Sequence, residues 1–361
     1  MIVLVRGLGR VDLSRLHQFR SWPEFLLRFL ELLWRAGVRI VSWRRGIRES
    51  SGNWPLRLPV PVISVGNIAV GGTGKTPVTA ALARYWLARG GKPGIVSRGY
   101  RGEGTGNDEY LMMKKRLPEV PHFQNRCRYE AGKELLEHHP ETDLILLDDG
   151  FQHRRLYRDL DLVLLDGADP LGGGHCVPLG LLREPWKNLS RADHLILTRV
   201  ERCDERRRAQ SLAFLQQWFP GIRRWLAETE VLEMRSLSGG QVPRPPDSIY
   251  ACSAIGDPDS FRSTLESQGW NVVGATSFRD HHRYSRPDLV DVDRQARALG
   301  ANFIACTAKD AVKIEALESP GGTALLPILV QEIDTTLDVE HLLETFCSGS
   351  SPGTRELPAP S

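Results

Sequence analysis

The sequence predicts an α/β protein: a doubly wound parallel sheet, a second and smaller α/β domain, and an N-terminal amphipathic helix. Three observations carry this. An apolar, β-branched run at Val62, Ile63, Val65 and Ile68 feeds a glycine-rich loop that opens a helix. Further apolar strands then alternate with helical segments, and two of them border loops rich in glycine or acid. Beyond a composition shift at 226–247 the alternation resumes over a shorter stretch.

Taken in order, Ser21-Trp22-Pro23-Glu24 reads as a capping box with an early proline, which predicts a helix running to about Trp43. Glu24, Arg28, Glu31, Arg35, Arg39 and Ser42 form one narrow stripe on it. Trp22, Phe25, Leu26, Phe29, Leu30, Leu33, Gly37, Ile40 and Val41 form the opposite face. Residues 1–60 hold 11 Arg and 4 acidic residues, leaving 36 basic against 40 acidic elsewhere, so the whole net charge of +3 originates here. A cationic amphipathic helix with Trp22, Trp34 and Trp43 suits a membrane interface. A helix packed on its own domain is the alternative. No stretch is long and apolar enough to predict a transmembrane span, and charge interrupts any signal-like core. Residues 1–15 read as a loosely ordered extension.

After the first strand, Gly71, Gly72, Thr73 and Gly74 let the backbone curl so that N–H groups and the helix N-terminus face an anion. Lys75 would reach the β- and γ-phosphates, and the Thr76 hydroxyl would hold Mg²⁺. The loop is a P-loop variant, with Ala69 where the strict pattern has glycine. Gly-Lys-Thr alone could be an ordinary turn; strand before and helix after point to phosphate binding. The helix closes at Gly90-Gly91, and Pro93 to Ser97 reads as a buried strand entering the polar loop SRGYRGEGTG. Helices follow near 109–117 and up to about His139. Asp143 to Asp149 is an apolar strand ending in two carboxylates, Asp148 and Asp149, candidates for Mg²⁺. Strands at 161–166 and 194–199 extend the sheet, giving a P-loop NTPase-like architecture. The stretch 226–247 reads as a linker or ribbon, and strands at SIYACSAIG, NVVGATSF, NFIACTAKD and ALLPILVQ make the second domain. The boundaries so drawn are 1–50, 51–228, 229–347 and a disordered tail at 348–361.

Six cysteines lie far apart with no C-x-x-C, which indicates neither a zinc site nor a disulfide framework and fits a reducing compartment.

With the phosphate loop, SRGY, DDGFQH, PLGLLREP, FRDHHRY and TAKDAVK in this order, residues 18–345 resemble the tetraacyldisaccharide 4'-kinases, the lipid A 4'-kinases. The resemblance implies a P-loop kinase on the cytoplasmic face of the inner membrane, peripheral or monotopic. It would use ATP and Mg²⁺ to phosphorylate the 4'-hydroxyl of a tetraacylated glucosamine disaccharide 1-phosphate, with anionic lipid as a second partner. It places Lys75, Thr76, Asp148 and Asp149 around MgATP. It nominates Asp108, in Asn107-Asp108-Glu109, and His281, in Phe278-Arg279-Asp280-His281, to act together on the attacking hydroxyl. A positioned carboxylate or imidazole is the general remedy for a weakly nucleophilic alcohol. Arg183 and Arg128 match positions similar to charge-stabilising arginines, for which a structural ion pair is the alternative. Tyr100, Gln152 and His153 match active-site wall positions, His153 with a possible organising role beside the aspartates. The sequence departs from the family at Asn107, at Cys127 and at Ala308 of Thr307-Ala308-Lys309-Asp310, and none of these removes a nominated group.

On this reading the first domain carries MgATP and the second supplies His281. The competing class is a membrane-recruited P-loop ATPase or GTPase switch that hydrolyses nucleotide without a lipid acceptor. The sequence has no guanine-reading Asn-Lys-x-Asp. Nucleic acid is excluded as a partner, because the N-terminal arginines flank a broad apolar face better suited to lipid.

Overall fold

The computed structural model describes residues 2–5, 9–12, 22–50, 55–99, 108–240, 242–280, 282–317 and 325–348. Near the N-terminus β1 (Ile2–Val5) and β2 (Gly9–Asp12) pair antiparallel, where the sequence suggested a loose extension. Helix α1 spans Glu24–Ser50, one to two turns longer than its apolar pattern suggested.

The chain divides into two compact units: Met1–Arg101 with Leu117–Thr229 and Thr335–Ser361, and Gly102–Arg116 with Glu230–Asp334. In the first, the strands are β3 (Val62–Asn67), β4 (Pro93–Ser97), β5 (His122–Gln124), β6 (Leu144–Asp148), β7 (Leu160–Asp166), β8 (His194–Thr198) and the start of β9 (Arg223–Ser236). Every pairing among them is parallel, in the order β9-β8-β7-β3-β6-β4-β5. The chain builds from central β3 out to β4 and β5, returns through β6, and crosses β3 to lay down β7, β8 and β9. That reversal is a topological switch point, and the strand ends of β3 and β6 open there. Strands β3, β4, β6 and β8 are buried along their whole length. Such near-continuous apolar strands are what a sheet covered on both faces requires. Covering helices include α2 (Lys75–Ala88), α4 (Arg128–His138) and α5 (Glu205–Trp218).

The second unit has β10 (Ser248–Ser253), β11 (Asn271–Ser277), β12 (Phe303–Thr307) and β13 (Ile328–Thr336), all parallel in the order β11-β10-β12-β13. Helices α6 (Pro258–Ser267), α7 (Arg286–Ala298) and α8 (Ala308–Glu315) connect them. Each begins with a side-chain cap from Asp257, Ser285 or Thr307.

Two boundaries differ from those the sequence suggested. Helix α3 (Asp108–Arg116) groups with the second unit, because Met112 packs on its core while Lys115 and Arg116 pair with Glu315 and Glu332. The final helix α9 (Val339–Ser348) returns to the first, where Glu340 meets Arg89 at 3.1 Å and His341 rests edge-on against Trp225. The stretch 226–247, read as a linker or ribbon, is strand over its first half: the 14-residue β9 runs to Ser236, with Arg223, Glu228, Glu230 and Glu233 exposed and Arg224 and Arg235 half-buried. The tail at 348–361 lies outside the described residues apart from Ser348, the last residue of α9.

On α1 the apolar face is turned outward. Phe25 is 74% exposed and Trp43 66%, with Trp22, Phe29, Leu32, Leu33, Ile40 and Val41 also exposed. The polar stripe turns inward at Glu31, which is 6% exposed. Elsewhere on that stripe Glu24, Arg28, Arg35 and Arg39 are exposed as well, and the inward side also holds half-buried Leu27, Leu30 and Trp34. No helix among the described residues is long and apolar enough to cross a membrane.

Candidate active site

The site forms where β3 and β6 end. Gly71 (φ 117°) and Gly74 (φ 78°) take left-handed backbone that other residues rarely adopt, and Gly74 directly precedes α2. The loop is held from beneath. Asn67 Nδ2 donates to Thr73 Oγ1 at 2.8 Å, and Thr198 Oγ1 lies 3.1 Å from the Thr73 carbonyl it donates to. Gly66 is required by close approach: a Cβ there would meet Phe151 Cβ and N at 2.6 Å.

Lys75 and Thr76 open α2, where their backbone N–H groups are among those a helix leaves unpaired. Lys75 Nζ lies 3.6 Å from Asp149 Oδ1. Arg183 Nη1 donates to both carboxylate oxygens of Asp149, at 3.0 and 3.2 Å, and to Gln152 Oε1 at 3.2 Å. Gln152 Nε2 in turn donates to the Asn67 carbonyl at 2.7 Å and to Glu184 at 3.2 Å. Glu184 is buried and also receives Asn188 and both Arg191 nitrogens. One polar chain thus links the strand end, the DDGFQ turn and the arginine.

Asp149 adopts φ 53°, left-handed backbone that costs a non-glycine residue roughly 1–2 kcal/mol. Such strain persists where neighbouring contacts over-determine it. Burial pushes its carboxyl upward, but Arg183, Lys75 and Arg128 outweigh that and hold it well below the usual carboxylate range. Asp148 is buried and accepts the Asp149 N–H at 3.0 Å. Arg128 is buried at the first residue of α4. Burial lowers its guanidinium to about 10, against an upward pull from Asp149.

Lys75, Asp149, Arg183 and Gln152 are therefore in direct contact, with Arg128 close enough to act through charge. His153 is held by its backbone N–H on the Gly150 carbonyl. Tyr100 and His281 lie outside the described residues, and Asp108 is described only as the first residue of α3. The neighbours of His281 are anchored: Asp280 receives Lys309 at 3.0 Å, and His282 stacks on Phe278 and meets Asp288 at 3.1 Å.

Sequence reasoning missed Asn67, Thr198, Glu184 and Trp34. Asn67 and Thr198 stand at carboxyl ends of parallel strands, a place that itself signals a ligand-side role. Trp34 Nε1 donates to the Arg183 carbonyl at 2.9 Å, a contact no linear pattern announces.

A family model described as tetraacyldisaccharide-1-P 4'-kinase matches residues 23–348. The chain is 33% identical over 362 residues to a tetraacyldisaccharide 4'-kinase of Syntrophus aciditrophicus, covering 90% of this chain and 93% of that one. A namesake from Syntrophobacter fumaroxidans is 36% identical, with 86% and 88% covered, and one from Chromobacterium violaceum 37%, with 82% and 85% covered. Among solved structures, LpxK of Aquifex aeolicus, crystallised in complex with ATP, superposes with a TM-score of 0.67 at 28% identity, covering 90% of this chain and 98% of that one.

Proposed function

The chain belongs to the tetraacyldisaccharide 4'-kinase family, and from that premise we propose how its site carries out the family reaction. The protein is a lipid kinase of lipid A biosynthesis that transfers phosphate from ATP to a hydroxyl of a lipid disaccharide phosphate. The observation that carries the assignment of roles is the contact of Arg183 and Lys75 with one carboxylate at the mouth of the glycine loop.

In phosphoryl transfer, rate comes from positioning and from neutralising charge on the transferring group. The loop backbone and the α2 N-terminus bind the phosphates, and Lys75 reaches the β- and γ-phosphates. Asp149 keeps Lys75 and Arg183 oriented before nucleotide arrives. Arg183, with Arg128 behind it, then stabilises negative charge at the γ-phosphoryl oxygens through a fork that suits phosphate geometry.

Mg²⁺ fits the donor set. Thr76 and Asp148 offer hard oxygens and are both buried. Mg²⁺ bound beside phosphates needs only one or two protein carboxylates, its other positions going to substrate oxygens and water. Thr76, Asp148 and Asp149 would hold it, and the ion would supply neutralisation of phosphate charge. Asp108 and His281 are assigned to the acceptor: together they orient the 4'-hydroxyl and one of them takes its proton as its oxygen bonds the γ-phosphorus and the bond from that phosphorus to the bridging oxygen breaks, releasing ADP.

The outward apolar face of α1 with the arginine-rich N-terminal segment supports a peripheral membrane site, where the acyl chains of the acceptor remain in the bilayer. The cytoplasmic face of the inner membrane is the location proposed. The switch reading, hydrolysis without a lipid acceptor, is not favoured by the family.

The test is ATP consumption with and without detergent-dispersed tetraacyldisaccharide 1-phosphate, with the lipid product read by mass. A gain of one phosphate at the 4'-position is expected. Hydrolysis that ignores the lipid would overturn the reading.

A further inference from the structure

Two side chains of helix α1, one turn apart, both end on the short ribbon that carries Arg183. Glu31 Oε1 accepts the Cys176 N–H at 3.0 Å, and its Oε2 lies 3.1 Å from His175 Nδ1. Trp34 Nε1 donates to the Arg183 carbonyl at 2.9 Å. The ribbon joins the two points: Leu182 N donates to the His175 carbonyl at 3.0 Å, and Val177 N to the Leu182 carbonyl at 2.9 Å. It is also laced to the entrance of the glycine loop. Val70 N donates to the Leu181 carbonyl at 2.7 Å, and Arg183 N to the Ile68 carbonyl at 2.8 Å.

The Arg183 peptide is thus pinned on both sides, its N–H by the end of the phosphate-loop strand and its carbonyl by α1. Its guanidinium must reach Asp149 and Gln152 at the far end, so where that peptide is held sets the geometry in which it does so. Moving α1 would orphan a buried carboxylate and an acceptor carbonyl together, which is costly. Glu31 and Trp34 therefore fix the helix in one register against the ribbon.

Resting on the kinase reading above, we infer that Trp34 is a positioning residue for phosphoryl transfer. Through the Arg183 carbonyl it sets the guanidinium on Asp149, and Glu31 secures the facing arm of the ribbon. The helix that presents the outward apolar face is by this route linked to the reacting centre.

The test uses the full-length protein with Trp34→Phe, which keeps an aromatic ring among its neighbours and removes the N–H. Loss of one hydrogen bond is expected to lower kcat about fivefold. KM for ATP and sedimentation with anionic vesicles should stay unchanged. In an Arg183→Ala background the same substitution should have no further effect on kcat. Unchanged kcat, or an equal loss in both backgrounds, would overturn the inference. If Trp34→Phe does not fold, Glu31→Gln is read in the same two backgrounds, with a smaller loss expected in the first and none in the second. Amide exchange across 175–183 reads the hold without turnover: it should speed up in the variant, and identical exchange would count against the inference. Absence of lipid phosphorylation by the unaltered protein would instead sink the kinase reading and leave the exchange result to decide.

Discussion

Arg183 Nη1 sits 3.0 and 3.2 Å from the two carboxylate oxygens of Asp149, so the arginine is held in place by an anion before any phosphate is bound. A lysine cannot reproduce a guanidinium that serves a carboxylate, a glutamine and a phosphate from one plane. Arg183→Lys is expected to lower kcat at least about tenfold and Arg183→Ala on the order of a hundredfold or more, with ATP still bound. Steady-state kinetics with an independent nucleotide titration check this. Turnover by Arg183→Ala within twofold of the unaltered protein would remove the residue from the transfer step.

Asp149 pairs with Lys75 and Arg183, and Asp148, buried beside it, accepts the Asp149 N–H. Either Asp→Asn change is expected to raise the Mg²⁺ concentration needed for half-maximal rate or to abolish activity. A Mg²⁺ titration of each variant reads it, and unchanged curves in both would take the pair out of the metal site. The depressed carboxyl of Asp149 is ionised above the usual carboxylate range, and its stabilising pairing weakens only as pH falls below that range. The acid limb of a kcat–pH profile should therefore belong to another group.

Asp108→Ala and His281→Ala are expected to cut kcat on the lipid acceptor by about 10²-fold or more and to leave nucleotide affinity within twofold. Calorimetric ATP binding beside lipid phosphorylation separates the two effects. Full turnover by His281→Ala at every pH would exclude it as a proton acceptor.

His122 carries a pH signature of stability. Burial lowers its ring to about 4, and Nε2 meets Ser97 Oγ at 2.8 Å. The unfolded chain protonates near pH 6.5, the folded one near 4, so between these values the unfolded state binds more protons. Stability should fall by up to ~3 kcal/mol from this group as pH drops from about 6.5 to about 4. In His122→Gln, denaturant unfolding followed across that window should show a smaller fall. An identical slope in both proteins would assign the effect elsewhere.

Replacing Phe29 and Leu32 on α1 by Asp should abolish sedimentation with anionic vesicles while leaving the melting temperature nearly unchanged, because both side chains are already exposed. Retained vesicle binding would show that α1 is not the docking element.

The phosphate loop and the acidic strand end were legible because their chemistry is local: a strand, glycines, Lys75 and Thr76 are contiguous, and Asp148 and Asp149 follow an unbroken apolar run. The role of Asn67 and Thr198 was not, since it arises where separate parallel strands end side by side. Helix α3 read as part of the first domain because it lies between two of its strands in sequence. Its Met112, Lys115 and Arg116 find their partners some two hundred residues later. β9 read as either a linker or a ribbon because it is half exposed and carries charges on both faces, which weakens the apolar signal that identifies a strand. The amphipathic pattern of α1 was visible, but not that its inward side would hold Glu31, which accepts the Cys176 N–H, and Trp34, which packs on the core and donates to the Arg183 carbonyl.

A helix with its apolar side outward also governs how the molecule behaves in a test tube. Seven large apolar side chains of α1, from Phe25 to Trp43, and Trp22 just before it meet solvent, a patch of the kind that drives association when left bare. In plain buffer two such faces offer each other the nearest shelter, so apparent mass should climb with concentration. A mild amphiphile would cap the same surface and return the protein to single copies, making detergent content as much a variable of the preparation as pH or salt.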